Sequence, residues 1–199
     1  MEITSGMVKD LRERTGLGIM ECKMALGETK GDMEEAIVYL RKRGLKIAEK
    51  KSGRTTSEGV IGAYIHAGGK IGVMVEVNCE SDFVAKNTDF ASLVKDIAMH
   101  IAASDPRFIA KEDVTEQVLA REREIIAEQL KSSGKPPDMI PKIVEGKLQS
   151  YYSEVCLLEQ PFVKDQALKV RDVLAAFIAK SGENVTIRRF TRYRMGEDV

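Results

Sequence analysis

The hydrophobic period changes at Gly59, and that change limits the fold more than any other feature of the chain. Upstream, over residues 4 to about 45, apolar side chains recur at helical spacing. Downstream, Ile71, Val73, Val75, Val77 and Cys79 take every second position, with Gly72, Met74, Glu76 and Asn78 between them. Such alternation sends successive side chains to opposite faces of a strand. The run Val60 to His66 precedes it across Ala67-Gly68-Gly69-Lys70, which predicts a hairpin. The helical period then returns and lasts until a closing strand, Val185 to Tyr193, expected to pair antiparallel with the hairpin. Strands and helices are grouped rather than alternating. The expected class is therefore α+β: an N-terminal three-helix module joined to a core of a three-stranded antiparallel sheet packed with helices.

In the module, Thr4 or Ser5 caps a first helix whose apolar face is Met7, Val8 and Leu11, and Thr15-Gly16-Leu17-Gly18 breaks it. A second helix runs from about Ile19 to Leu26, with Gly27 as its stop. A third opens at Asp32, with Glu35 at capping-box spacing, and stops at Gly44. These signals predict a module over residues 1–45, a linker rich in Lys, Ser, Thr and Gly over 46–58, and a core over 59–199. In the core, Phe90, Leu93, Val94, Ile97, Ala98, Ile101 and Ala102 follow the 3.6 period behind a cap at Asn87 or Thr88. Asp113 with Glu116 predicts the start of another helix, Pro136-Pro137 its break, and Ile140 to Val155 its antiparallel partner. A loop containing Gln160-Pro161-Phe162 leads to a last helix ended by Gly182.

Lys+Arg and Asp+Glu both number 31, so the net charge is zero, which argues against a general binder of nucleic acid. The local exception is Arg188 to Arg194, a basic stretch interleaved with Phe190 and Tyr193. It reads either as a single-strand-binding surface, as in an RNA-associated adaptor, or as a strand with a solvated face. Cys22, Cys79 and Cys156 lack metal-ligand spacing and are expected to be buried small hydrophobes. No leader pattern and no apolar run of membrane-spanning length is present, so the cytoplasm is the expected address. His66 and His100 lie on different elements, and no phosphate-loop pattern precedes a helix. No catalytic residue, cofactor or metal is expected.

What remains is Ser81-Asp82-Phe83-Val84-Ala85, placed just past the second strand. It has two readings. The carboxylate and ring form a projecting tip that enters a partner's pocket, or the phenylalanine folds back into its own core. Thr88-Asp89-Phe90 repeats the dipeptide, but there Phe90 belongs to the helical stripe.

The segment Leu11-Arg12-Glu13-Arg14-Thr15-Gly16-Leu17-Gly18-Ile19-Met20-Glu21-Cys22-Lys23-Met24-Ala25-Leu26 resembles the N-terminal signature of the bacterial elongation factor Ts family. Glu76-Val77-Asn78-Cys79-Glu80-Ser81-Asp82-Phe83-Val84-Ala85-Lys86 resembles that family's second signature. Leu158 to Val163 and Asn184 to Phe190 match in order, so the likeness spans nearly the whole chain. The resemblance implies a guanine nucleotide exchange factor for elongation factor Tu, a GDP-bound GTPase, without bond chemistry of its own. It implies a ubiquitin-associated-like module that docks through Leu11, Arg12, Thr15, Gly16, Ile19, Met20 and Lys23. It assigns Ser81, Asp82, Phe83 and Val84 to displacement of the partner's magnesium. Ser81 stands where the family usually has Thr, and Ile19 where it often has Met. Longer members carry a duplicated core half and a coiled-coil insertion, for which this chain is expected to have no room. It resembles the short form, in which two chains pair and make a two-plus-two complex with the partner. Pairing would also cover the edges of a small sheet.

Overall fold

The computed structural model describes residues 3–132 and 136–197. Three helices open the chain: α1 (Ser5–Thr15), α2 (Ile19–Glu28) and α3 (Met33–Lys51). A hairpin of β1 (Glu58–Ile65) and β2 (Ile71–Cys79) follows, then the single turn α4 (Asp82–Ala85) and the long α5 (Thr88–Ser104). Next come α6 (Glu116–Ser132), α7 (Ile140–Val155), the short strands β3 (Pro161–Phe162) and β4 (Asp165–Lys169), α8 (Val170–Ser181) and β5 (Val185–Arg194). The main sheet has the order β1-β2-β5, and the α+β expectation holds. The chain divides into two compact units: residues 1–63, 74–96 and 171–190, and residues 64–73, 97–170 and 191–199.

The first unit is built on the helical module. Thr4 Oγ1 accepts the Met7 N–H at 3.3 Å and Asp32 Oδ1 accepts the Glu35 N–H at 2.8 Å, so both expected caps form. Val8, Leu11, Leu17, Cys22, Ala25, Leu26, Ala36 and Leu40 close a small core, with Ala179 of α8 packed against it. Two expected stops are corrected. Gly27 lies inside α2; the chain turns at Lys30 and Gly31, whose φ angles are 53° and 87°. Gly44 lies inside α3, which continues to Lys51, so residues 46–51 are helical and not linker. An interior glycine costs a helix roughly 1 kcal/mol against alanine. Here it lies against α8, where an added Cβ would sit 3.5 Å from the Ala175 carbonyl oxygen, and packing decides the helix length.

Gly62 of β1 is needed for a close approach: a Cβ there would lie 2.3 Å from Val94 Cγ1 of α5. On α5, Phe90 is fully buried and its ring centroid lies 5.8 Å from that of Phe177 on α8. The alternation in β2 is borne out, with Val73, Val75, Val77 and Cys79 buried.

The second unit holds the α6–α7 pair, which has its own core of Leu119, Ile126, Leu130, Ile140, Val144, Leu148 and Val155. The chain thus does carry a two-helix coil of 17 and 16 residues, contrary to the expectation from its length. Apolar stripes on both helices bury each other, so the coil needs no inserted domain. Helix α6 starts later than expected. The Asp113 carboxylate folds back to the Ala110 N–H at 2.8 Å, and the Thr115 hydroxyl accepts from Val118 instead. The segment expected as a loop after α7 contains the β3–β4 pair. Beside it His100 is fully buried: Nδ1 accepts the Val163 N–H at 3.1 Å and Nε2 meets Gln160 Oε1 at 2.9 Å. Gln160 Nε2 in turn donates to the Ser104 and Glu154 carbonyls. Burial pushes the His100 pKa below 6.5, so the ring is neutral. All three cysteines are buried free thiols.

Candidate functional site

The tip emerges where β2 ends. Ser81 keeps extended backbone, φ −128° and ψ 157°, and caps the single turn Asp82–Ala85 by accepting the Val84 N–H on its hydroxyl at 3.4 Å. That hydroxyl also donates to Glu183 Oε1 at 2.5 Å, while the Ser81 N–H donates to Glu183 Oε2 at 3.1 Å. Below it, the Cys79 thiol donates to the Ser81 carbonyl at 3.2 Å. Burial, and then the nearby Glu183 charge, push that thiol's pKa up, so Cys79 remains a neutral thiol.

On this platform Phe83 is 83% exposed. A phenylalanine normally buries its ring, so a ring held out on a braced turn is the informative exception. The reading in which Phe83 folds back into the core is excluded. Asp82 pairs with Lys86 at 2.7 Å one turn on, and this hydrogen bond holds its carboxyl below the usual range. Val84 is half-buried. The tip therefore offers one apolar ring beside one fixed negative charge.

The second candidate surface is on α1 and α2. Ile19 and Met20 are 56% and 75% exposed at the start of α2, and Arg12 and Lys23 are also exposed. Arg12, Ile19 and Lys23, with Ile3, Thr4, Ser5, Val8 and Lys9, line a groove of about 370 Å³. The other expected docking residues are placed differently. Leu11 is fully buried in the core of the module and does not line the groove. The Thr15 hydroxyl donates to the Leu11 carbonyl at 2.8 Å and accepts the Leu17 N–H at 3.4 Å, closing the turn between α1 and α2. Gly16, at φ 67°, caps α1 in the left-handed conformation, so its N–H reaches the Arg12 carbonyl.

The basic stretch on β5 is partly paired. Arg188 and Arg189 both pair with Glu76, at 3.8 and 2.7 Å. Arg192 is 9% exposed on its side chain and pairs with Asp105 and Glu197. Sequence reasoning missed the supports of the tip, Glu183 and Asn184, because they lie 102 and 104 residues from the Ser81 and Glu80 groups they hold. No spacing rule spans such a distance.

A family model described as elongation factor TS matches residues 19–197. Elongation factor Ts of Solibacter usitatus is 57% identical over 98% of this chain and 92% of its own length. That of Koribacter versatilis is 56% identical over 99% and 90%. That of Moorella thermoacetica is 54% identical over 99% and 97%. With the matched model spanning most of the chain and full-length relatives above half identity, this chain belongs to the elongation factor Ts family of translation elongation factors.

Proposed function

We propose that the chain is a guanine nucleotide exchange factor for elongation factor Tu, acting in the cytoplasm and making or breaking no covalent bond. The observation that carries this reading is the 83% exposed Phe83 ring on a hydrogen-bonded turn. Residues 1–45 dock on the GTPase domain through the face that displays Arg12, Ile19, Met20 and Lys23, with Leu11, Thr15 and Gly16 shaping that face from behind. Ser81, Asp82, Phe83 and Val84 then act at the partner's nucleotide site. Phe83 wedges between partner helices, Asp82 makes polar contacts, and the partner's magnesium is dislodged. Magnesium is the largest local charge holding GDP phosphates, so its loss weakens GDP most. The coupling is reciprocal: GDP must weaken factor binding by the ratio in which the factor weakens GDP. The order β1-β2-β5 leaves β1 and β5 at the sheet edges, which supports pairing of two chains and a two-plus-two complex.

Release of a fluorescent GDP from elongation factor Tu, followed by stopped flow beside a binding titration, tests this division of labour. Phe83→Ala is expected to lose more exchange rate than affinity, and Met20→Ala more affinity than rate. Equal losses of both quantities in both variants would sink it. The RNA-adaptor reading predicts instead a salt-dependent shift with single-stranded RNA. The pairing of Arg188, Arg189 and Arg192 with acidic partners weighs against it.

A further inference from the structure

The loop between α8 and β5 gathers several parts of the first unit. The Gly182 carbonyl accepts from Lys51 Nζ at the end of α3 at 2.5 Å. Asn184 is buried; its N–H donates to Glu80 Oε1 at 2.5 Å, and its Nδ2 reaches the Ser52 and Arg54 carbonyls at 3.4 and 2.9 Å. The Asn184 N–H, followed by the Arg54 charge, holds the Glu80 carboxyl below its ordinary range. Between Gly182 and Asn184 stands Glu183, and its side chain is directed at the tip. One carboxylate oxygen takes the Ser81 hydroxyl and the other takes the Ser81 N–H.

The single turn Asp82–Ala85 is too short to hold itself, since one helical turn fixes several backbone angles for one hydrogen bond. Its capping hydroxyl has only the long 3.4 Å contact with the Val84 N–H to hold it within the turn. The Glu183 carboxylate supplies a second partner and also takes the Ser81 N–H, so the cap residue is held at two points. Charge-assisted hydrogen bonds of this kind are the stronger class. The same loop binds the end of α3, so the helical module and the tip share one support.

We propose that Glu183 is a positioning residue for exchange: it holds Ser81, and through Ser81 it presents Phe83 in the orientation that enters the partner. This rests on the exchange reading above. Glu183 itself contacts no nucleotide. Its loss leaves docking intact and makes each docked complex less productive, because the ring must be ordered at the moment of entry.

The chain contains no tryptophan, so Phe83→Trp installs a single tryptophan at the tip, excited at the red edge of its band where the five tyrosines do not absorb. In that background, the emission anisotropy of the full chain is measured with and without Glu183→Ala; in the Phe83 chain, the limiting GDP-release rate and the half-saturating factor concentration are measured. Glu183→Ala is expected to lower the anisotropy and to reduce the limiting rate about tenfold, the size of a hydrogen bond to a charged group, with little change in the half-saturating concentration. Glu183→Gln keeps one acceptor and gains a donor that can face the Ser81 hydroxyl, so it is expected to recover most of both signals. If Glu183→Ala fails to fold by its melting profile, Ser81→Ala in the Phe83→Trp background breaks the hydroxyl contact from the other side and should give a smaller fall in anisotropy; an unchanged anisotropy there overturns the proposal. Unchanged anisotropy and limiting rate overturn the proposal, as does a loss confined to the half-saturating concentration. A fall in anisotropy in a chain that never releases GDP keeps the brace and removes the exchange reading.

Discussion

Asp82-Phe83 and Asp89-Phe90 are the same dipeptide seven positions apart, and the fold treats them oppositely. Phe90 is fully buried against Phe177, whereas Phe83 is 83% exposed. Asp82 pairs within its own turn, with Lys86, while Asp89 reaches Lys180 of α8 at 2.7 Å. The difference lies in what surrounds each ring. Phe90 shares a face with Val94, Ile97 and Ile101 on a 17-residue helix, so one phase of that helix is committed to the core. Phe83 sits on a four-residue turn with no such stripe to join, and its platform faces away from the core. One pair stabilises the fold; the other is kept outside it and is free to meet a partner.

Mutations should separate the two roles, and the largest effect belongs to the buried ring. Phe90→Ala is expected to cost about 3–5 kcal/mol of unfolding free energy, read from a urea titration, because it removes a large apolar group and leaves a cavity. Its exchange rate per folded molecule should stay close to normal. Phe83→Ala should do the reverse: stability within roughly 0.5 kcal/mol of the parent chain, but a loss of about 2 kcal/mol in exchange, near thirtyfold in rate. A comparable stability loss in both variants would erase the distinction drawn between the two rings.

A third expectation concerns acid. His100 is buried and neutral, with its pKa lowered from 6.5 by burial and opposed by the Gln160 hydrogen bond. The groups packed against it are the Val163 N–H, the Gln160 amide and the Phe162 ring, whose centroid lies 5.9 Å away. Below about pH 6.5 the unfolded chain takes up a proton that the folded chain refuses, so stability is lost as pH falls toward the lowered value. The urea midpoint should drop through that window in the parent chain, and the drop should flatten in His100→Gln. If both chains follow the same curve, His100 does not set the acid limb. The smallest effect is expected at the tip itself. Lys86→Met removes the partner that holds the Asp82 carboxyl low, so its NMR titration should move up toward the ordinary aspartate value. Stability should barely change, because an ion pair this exposed is screened by water. A titration that stays put would assign the lowering to the backbone N–H groups of the turn.

Much of the fold is legible in the sequence because its signals are local. Thr4 and Asp32 cap helices through N–H groups three residues downstream, and helical spacing alone puts Phe90 on the stripe of α5 and leaves Phe83 off it. Local signals fail where a distant neighbour outweighs them. Gly44 reads as a stop, yet α3 runs on because α8 packs against it. At Asp113 the competitor is itself local: the carboxylate turns back to the Ala110 N–H three residues upstream, so the residue that reads as a cap does not start α6. At the candidate site, the motif identifies the ring and the charge, while their support is out of reach of any pattern. Among the docking residues, helical spacing puts Leu11 on the inner face of α1, where it is fully buried, while the signature that groups it with Met20, which is 75% exposed, does not separate the two.

The sequence by itself therefore determined where the periods change, that Thr4 and Asp32 cap their helices, and that an Asp-Phe dipeptide follows the second strand. These depend on interactions within about four residues along the chain, and residue order specifies them directly. Only the tertiary structure decided that Phe83 faces outward, that Glu183 holds Ser81 across 102 residues, and that Gln160 satisfies the polar demand of His100 across 60. Hydrogen bonds and close packing act only over a few ångströms, and the groups in those contacts become neighbours only once the chain has folded.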